Sequence, residues 1–401
     1  MDSALAATAS QWAADTNSAM FIQLVSGESA EGVLRALDKD LTQEDEDEGE
    51  EEEEENGADV IQFHPAFTYP IYGEHERVFG YKGLKIRLSY AAGSLATYVD
   101  VGCGKRIDEA ETSVALRPDD IEGPLRKVLA AGAVCQTRTE FAQRVVHDTQ
   151  TFRPVGRKVH EYQREEVYEI YEAGFASAEF RAYHQRMQTL VLLFIEGAQF
   201  IDDADERWLV YTVFERLDIG GAPSFTLVGF CTMYQFFSWP DRRRPRISQF
   251  LVLPPFQGQG HGSELYRYIH QAVRGNLDYT ELTVEDPSEA FDDMRDRNDM
   301  RLLIDCAAFD GLEAPVSPSV LAELGSRFKI SRRQITRCVE MGLLRRLGKS
   351  AADQYRLFVK RRIYAQNADL LAGLDEAEKK RKVAESYAAV VDDYHRILSL
   401  L

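Results

Sequence analysis

The segment Gln257-Gly258-Gln259-Gly260-His261-Gly262 could cradle a pyrophosphate, and the neighbouring acids Glu285 and Asp286 could accept a proton. Glycines let a backbone come close to an anion. The unpaired N–H groups of a helix's first turn point at that anion along the positive end of the dipole. Two carboxylates at a strand end, turned outward by Pro287, suit proton transfer, although two solvated acids at a turn would read the same way. Glu196 follows the apolar run Leu190–Ile195, where an unpaired carboxylate is expensive to bury. It should face a cleft, unless it forms half of a structural ion pair. No metal-ligand spacing is evident: the five cysteines include no Cys-x-x-Cys pair, and His75 reads as an ordinary surface histidine.

These groups need a strand, a tight turn and a helix to hold them. Ile247–Leu253 reads as a buried strand, stopped by Pro254 and Pro255. The helix from Ser263 carries Leu265, Tyr266, Ile269, Ala272 and Val273 on one face. Upstream, Trp208–Phe214 and Thr226–Tyr234 form an expected antiparallel hairpin about the turn Gly220–Pro223. Val159–Gly174 looks like strand or loop, a deeply buried helix is expected over Phe180–Phe200, and a last strand over Thr280–Val284. The fold class is therefore α+β (mixed), a mixed sheet with helices on both faces. Three regions follow: 1–153, an N-terminal α+β domain; 154–305, the core; and 306–401, a helical C-terminal domain. Within the last, Asp375–Leu401 repeats Tyr387, Val391, Tyr394 and Leu398 in heptad-like register, which favours a docking face over a dimer.

Composition bounds the classes. A 44% apolar and 28% charged chain is that of a soluble globular protein, and no window is apolar enough for a bilayer span. Odd, scattered cysteines and a start without an apolar leader favour reduced thiols in cytoplasm or nucleus. The net charge is −19, of which eleven carboxylates lie in Glu44–Glu55. That run, within an insertion expected at 40–58, reads as disordered, either a solubilising loop or a lure for a polycation. Arg327–Arg362 reverses the balance, with twelve Lys or Arg against Glu340 and Asp353. Overlapping it, Val320–Val339 has the rhythm of a helix-turn-helix, which opens a rival reading as a DNA-binding or scaffold protein. Lys379-Lys380-Arg381-Lys382-Val383 reads equally as a nuclear import signal or as the wet face of a helix.

The glycine turn has neither the spacing of a dinucleotide fingerprint nor a following Lys-Ser/Thr. Its Gln-x-x-Gly-x-Gly pattern resembles the acyl-coenzyme A turn of the Gcn5-related N-acetyltransferase superfamily. Further motifs narrow the likeness: 80–86, 194–196, 205–208, 255–262, 284–288 and 295–299 resemble the type B histone acetyltransferase catalytic subunit, in the right order. The likeness runs from about Gln11 to the mid-300s. The acidic insertion and the stretch past Gly348 depart from it, and the loop Phe237–Pro245 is shorter than in some relatives, where it contacts a partner.

The resemblance implies acetyl transfer from acetyl-coenzyme A to a lysine ε-amine in the N-terminal tail of newly made core histone, chiefly the fourth type. It gives Glu285 the role of general base, with Asp286 and Glu196 as further catalytic candidates. For acetyl-coenzyme A it points to Phe250, Leu251 and Val252 along the pantetheine arm, and to Gln257, Gly258, Gln259, Gly260, His261, Gly262 and Ser263 at the pyrophosphate. Ser288 and Arg297 extend that site. For the histone tail peptide it points to Glu74, His75, Glu76, Trp208, Tyr234, Gln235 and Phe236, acids and rings that suit a basic segment. A WD-repeat histone-binding chaperone is the implied partner; no metal, membrane or direct nucleic-acid binding is expected. An N-acetyltransferase for other amines stays open as an alternative.

Overall fold

The computed structural model describes residues 11–38, 58–109, 116–219, 221–348 and 351–401. The acidic run Glu44–Glu55 lies outside them, as does Gly220 of the expected hairpin turn. The described residues form two compact units: 1–233 with 249–259, and 234–248 with 260–401.

The first unit opens on a four-stranded sheet: β1 (Met20–Gly27), β2 (Ala58–Phe63), β3 (Lys85–Ala91) and β4 (Thr97–Gly102), in the order β2-β1-β3-β4. β1 lies parallel to β3 and antiparallel to β2. Helices α1 (Ala30–Asp38) and α2 (Arg138–Thr151) cover it, burying Val33, Leu37, Phe141, Ala142 and Val145. Thr137 caps α2 by accepting from the Glu140 amide, the bond expected of a threonine N-cap.

The second sheet orders β10-β9-β8-β7-β6-β5, from β5 (Arg157–Gln163), β6 (Val167–Gly174), β7 (Trp208–Ile219), β8 (Ala222–Ser238), β9 (Arg242–Val252) and β10 (Thr283–Val284). The ambiguous stretch 159–174 resolves into the antiparallel hairpin β5–β6. Helix α3 (Ala178–Phe194), capped by Ser177, buries Phe180, Tyr183, Met187, Leu190, Val191 and Leu193. It ends six residues before the expected Phe200, because Ile195 turns extended and Gly197 takes φ +69°.

The strand expected over Thr280–Val284 pairs with β9 only at Thr283 and Val284, opposite Arg246 and Ile247. Before them the pairing is broken: the Thr280 amide still reaches the Arg243 carbonyl of β9 beside an isolated Arg243–Tyr279 bridge, but the Leu282 amide donates to the Lys329 carbonyl.

In the second unit, α4 (His261–Gly275) buries Leu265, Tyr266, Ile269 and Val273. After α5 (Glu289–Asp305) come α6 (Pro318–Phe328), α7 (Arg332–Arg345), α8 (Ala352–Gln366) and α9 (Glu376–Leu398). They share a core of Met300, Phe328, Ile335, Val339, Tyr355 and Ile397. Tyr394 of α9 is buried in it and Tyr387 and Val391 pack at its edge, so the heptad-like face docks within the chain. No described helix is long and apolar enough to cross a membrane.

Candidate active site

β9 shows why its residues can serve two environments. Its burial alternates strictly from Pro245 onward: Ile247, Gln249 and Leu251 are buried, whereas Arg246, Ser248, Phe250 and Val252 are half-buried. β10 pairs only as far as Ile247, so Phe250–Val252 run past the end of that short strand. On the β8 side, a Cβ on Gly229 would lie 2.4 Å from the Leu251 carbonyl oxygen, so only glycine permits so close an approach.

Beyond β9 the chain makes a single helical turn, Pro254–Phe256, and then uses left-handed backbone at Gly258 (φ +76°) and Gly260 (φ +90°). Side chains of this turn brace the turn itself. Gln257 Nε2 donates to the Val252 carbonyl at 2.8 Å, and Gln259 Nε2 to Pro255 at 2.9 Å. Any contribution from these glutamines to an anion therefore comes from the backbone, and the Gln257 amide is already given to Pro254. Gly260 caps α4 without any side-chain bond to the first turn. The first-turn amides, Gly262 and Ser263 among them, have no intrahelical acceptor, and a Cβ on Gly258 would point into open space. This donor set fits a diphosphate. The His261 side chain does not face solvent; it is buried.

The acid pair lies at the end of β10. The Glu285 amide donates to the Ile247 carbonyl at 2.9 Å, and its carboxylate accepts from Ser248 Oγ at 2.6 Å. Both Glu285 and Asp286 are exposed. Asp286 takes φ +33°, a conformation Asp tolerates better than most residues, and Pro287 follows. The chain is thus turned sharply outward where the acids sit. Ser288 starts α5, its hydroxyl accepting from the Phe291 amide as an N-cap. Arg297 is half-buried on α5, with Nε donating to the Asp293 carbonyl.

Other candidates separate by environment. Glu196 lies just past the end of α3 and is exposed, so the expected burial penalty does not arise. Glu74 and His75 are also exposed. Glu76 is engaged: its carboxylate accepts from the Thr68 and Tyr69 amides and from Asn17 Nδ2, which fixes the local turn. Trp208 is half-buried at the start of β7. Tyr234 and Phe236 share one face of β8, their rings 4.6 Å apart, with the Arg246 guanidinium over Phe236 at 4.5 Å. Gln235 alternates to the opposite face, where it is buried and accepts from Arg243 Nη1 and the Tyr279 hydroxyl. It belongs with the sheet's packing and not with the aromatic pair. Sequence reasoning missed Ser248, which the two-residue strand period places on the face of Arg246 and Phe250.

The segment with helix-turn-helix rhythm does fold as two helices, α6 and α7, around Lys329–Ser331. The second helix packs one face into the fold. It buries Gln334, Ile335, Cys338, Val339, Glu340 and Met341, and Arg337 is held by Asp296 and Asp393. Arg362 likewise pairs with the fully buried Glu340. Two of the twelve basic residues of 327–362 are thus neutralised by buried acids. Among the described residues no cluster of His, Cys, Asp and Glu could hold a metal ion.

Comparison with known proteins agrees with this geometry. Residues 12–196 match the family model described as "Histone acetyl transferase HAT1 N-terminus", and residues 164–291 match the acetyltransferase (GNAT) family. The chain is 36% identical to the histone acetyltransferase type B catalytic subunit of Cryptococcus neoformans var. neoformans serotype D, over 99% of both proteins. It is 37% identical to that of Mycosarcoma maydis, over 83% of this chain and 82% of the relative. Against that of Homo sapiens the identity is 33%, over 86% and 88%. A Gcn5-related core joined to this N-terminal module, with full-length likeness to such enzymes, places the chain in the family of type B histone acetyltransferase catalytic subunits.

Proposed function

We infer that the chain moves the acetyl group of acetyl-coenzyme A onto a lysine ε-amine in the N-terminal tail of a newly made core histone, that of the fourth type. Its family membership makes it a histone acetyltransferase that uses acetyl-coenzyme A. The finer reading assigns roles within the site. The uncapped start of α4 and the turn Gly258–Gly260 hold the diphosphate, and the backbone of Phe250–Val252 follows the pantetheine arm. A backbone N–H polarises the thioester carbonyl. The lysine amine attacks that carbonyl directly, and its proton passes to Glu285, with the thiolate of coenzyme A leaving. Tyr234 and Phe236 offer a ring surface to the aliphatic stem of the lysine.

The observation that carries this reading is the outward-turned Glu285 carboxylate, fixed by backbone to Ile247 and by hydroxyl to Ser248. The test is acetyl transfer to a set of core-histone tail peptides, with polyamines as control acceptors, by wild type and Glu285→Gln. Turnover confined to histone tails and lost on substitution is expected; preference for polyamines would replace the histone reading by that of a small-amine enzyme.

A WD-repeat histone chaperone is the proposed partner. At the tip between β8 and β9, Phe237 is 69% and Trp239 84% exposed, large apolar side chains of the kind that anchor interfaces. For localisation we assign cytoplasm and nucleus; Lys380, Arg381 and Lys382 are exposed on α9 and suit an import signal, while Val383 is buried.

A further inference from the structure

Asn298 is 6% exposed on α5. Its Nδ2 donates to the Met294 carbonyl at 2.7 Å and to Ser263 Oγ at 3.1 Å. Its Oδ1 is buried and has no partner. The Met294 carbonyl can only accept, so it fixes which end of the amide is nitrogen. The second proton on that nitrogen therefore occupies a lone pair of the Ser263 hydroxyl. Ser263 must then donate its own proton in another direction, and among the described residues nothing accepts it. Ser263 lies in the first turn of α4, among the amides left open by the missing side-chain cap. Retaining an amide whose oxygen is orphaned is unfavourable for packing alone, because an unmade buried hydrogen bond is destabilising. The arrangement makes sense as a device that aims one hydroxyl.

We propose that Asn298 is a positioning residue: it turns the Ser263 hydroxyl so that its proton meets a phosphoryl oxygen of the coenzyme. Asn298 itself touches no ligand. This rests on the assignment of the α4 turn to the diphosphate and adds a residue that the assignment does not contain.

A double-mutant cycle tests it, with coenzyme A as the probe and isothermal titration calorimetry on the full chain. Ser263→Ala should weaken coenzyme A by about tenfold, the order expected for one hydrogen bond to a charged group. Asn298→Ala should give a loss of about three- to tenfold. The double variant should bind no more weakly than Ser263→Ala alone, because Asn298 acts through that hydroxyl. In turnover, Asn298→Ala should raise KM for acetyl-coenzyme A and leave KM for the histone peptide unchanged, a split that a merely loosened fold would not give. If Asn298→Ala does not fold, Asn298→Ser enters the same cycle. Losses that multiply in the double variant, or full affinity in Asn298→Ala beside a weakened Ser263→Ala, would overturn this inference alone. Unchanged binding by Ser263→Ala would instead remove the diphosphate assignment.

Discussion

Replacing Glu285 by Gln keeps the shape of the side chain and its neighbours while removing its capacity to take a proton. A lysine amine with a pKa near 10.4 is neutral in only about one molecule in a thousand at pH 7.4, a penalty of about 4 kcal/mol. A positioned base recovers about 10²–10⁴ in rate, or roughly 3–5 kcal/mol, so most of that penalty is within its reach. Turnover in Glu285→Gln should fall by that factor near neutral pH. The loss should shrink as pH rises, because the amine then sheds its proton to solvent, about tenfold for each unit up to the lysine pKa. The contact between Ser248 Oγ and Glu285 is 2.6 Å long but exposed, so Ser248→Ala should cost only about 1 kcal/mol, roughly fivefold in kcat. Rates on a histone tail peptide between pH 7 and 9 check all three statements. A variant as fast as wild type throughout, or slower by a constant factor at every pH, would refute the proton-transfer argument.

Other outcomes follow from single positions. Gly260→Ala forces a Cβ onto backbone at φ +90°, and should weaken coenzyme A binding in calorimetry and lower stability by about 1–2 kcal/mol. Arg362→Ala would strand Glu340, which is fully buried, and should destabilise the protein by about 3–5 kcal/mol in denaturant titration. His184 is buried against Phe175 and Phe180 with neither ring nitrogen hydrogen-bonded, and burial depresses its pKa to about 4. The unfolded chain takes up this proton first, so stability is complete above pH 6.5. It should fall by about 1.4 kcal/mol per unit as pH drops from there toward 4. His184→Leu should flatten that slope when unfolding is measured across the window. Trp239→Ala should weaken capture of a WD-repeat histone chaperone and leave acetylation of a free tail peptide intact.

Much of the site was legible because its demands are local. A run of β-prone residues stopped by two prolines, then glycines at alternating positions, dictates strand, turn and helix start over about fifteen residues. What depended on distant chain was not legible. β10 is short because the Leu282 amide is claimed by Lys329, almost fifty residues on, and no local propensity records that claim. Glu196 was expected in a buried helix; the apolar run before it hid the left-handed Gly197 that ends the helix early. The glutamines of the turn read as donors of backbone N–H groups; that their side-chain amides satisfy carbonyls four and five residues back is not visible in the pattern. Gln235 shows the limit of a motif read as a block, since strand alternation sends it to the face opposite Tyr234 and Phe236.

The last helix is fastened at its far end. Tyr394 reaches Glu340 at 2.7 Å, Asp393 holds Arg337, and Arg396 grips Asp293 on α5, the helix that begins just after the acid pair. A chain cut short by a dozen residues would lose all three anchors together. Such a truncation should behave as an active-site lesion, although the missing piece touches neither thioester nor amine.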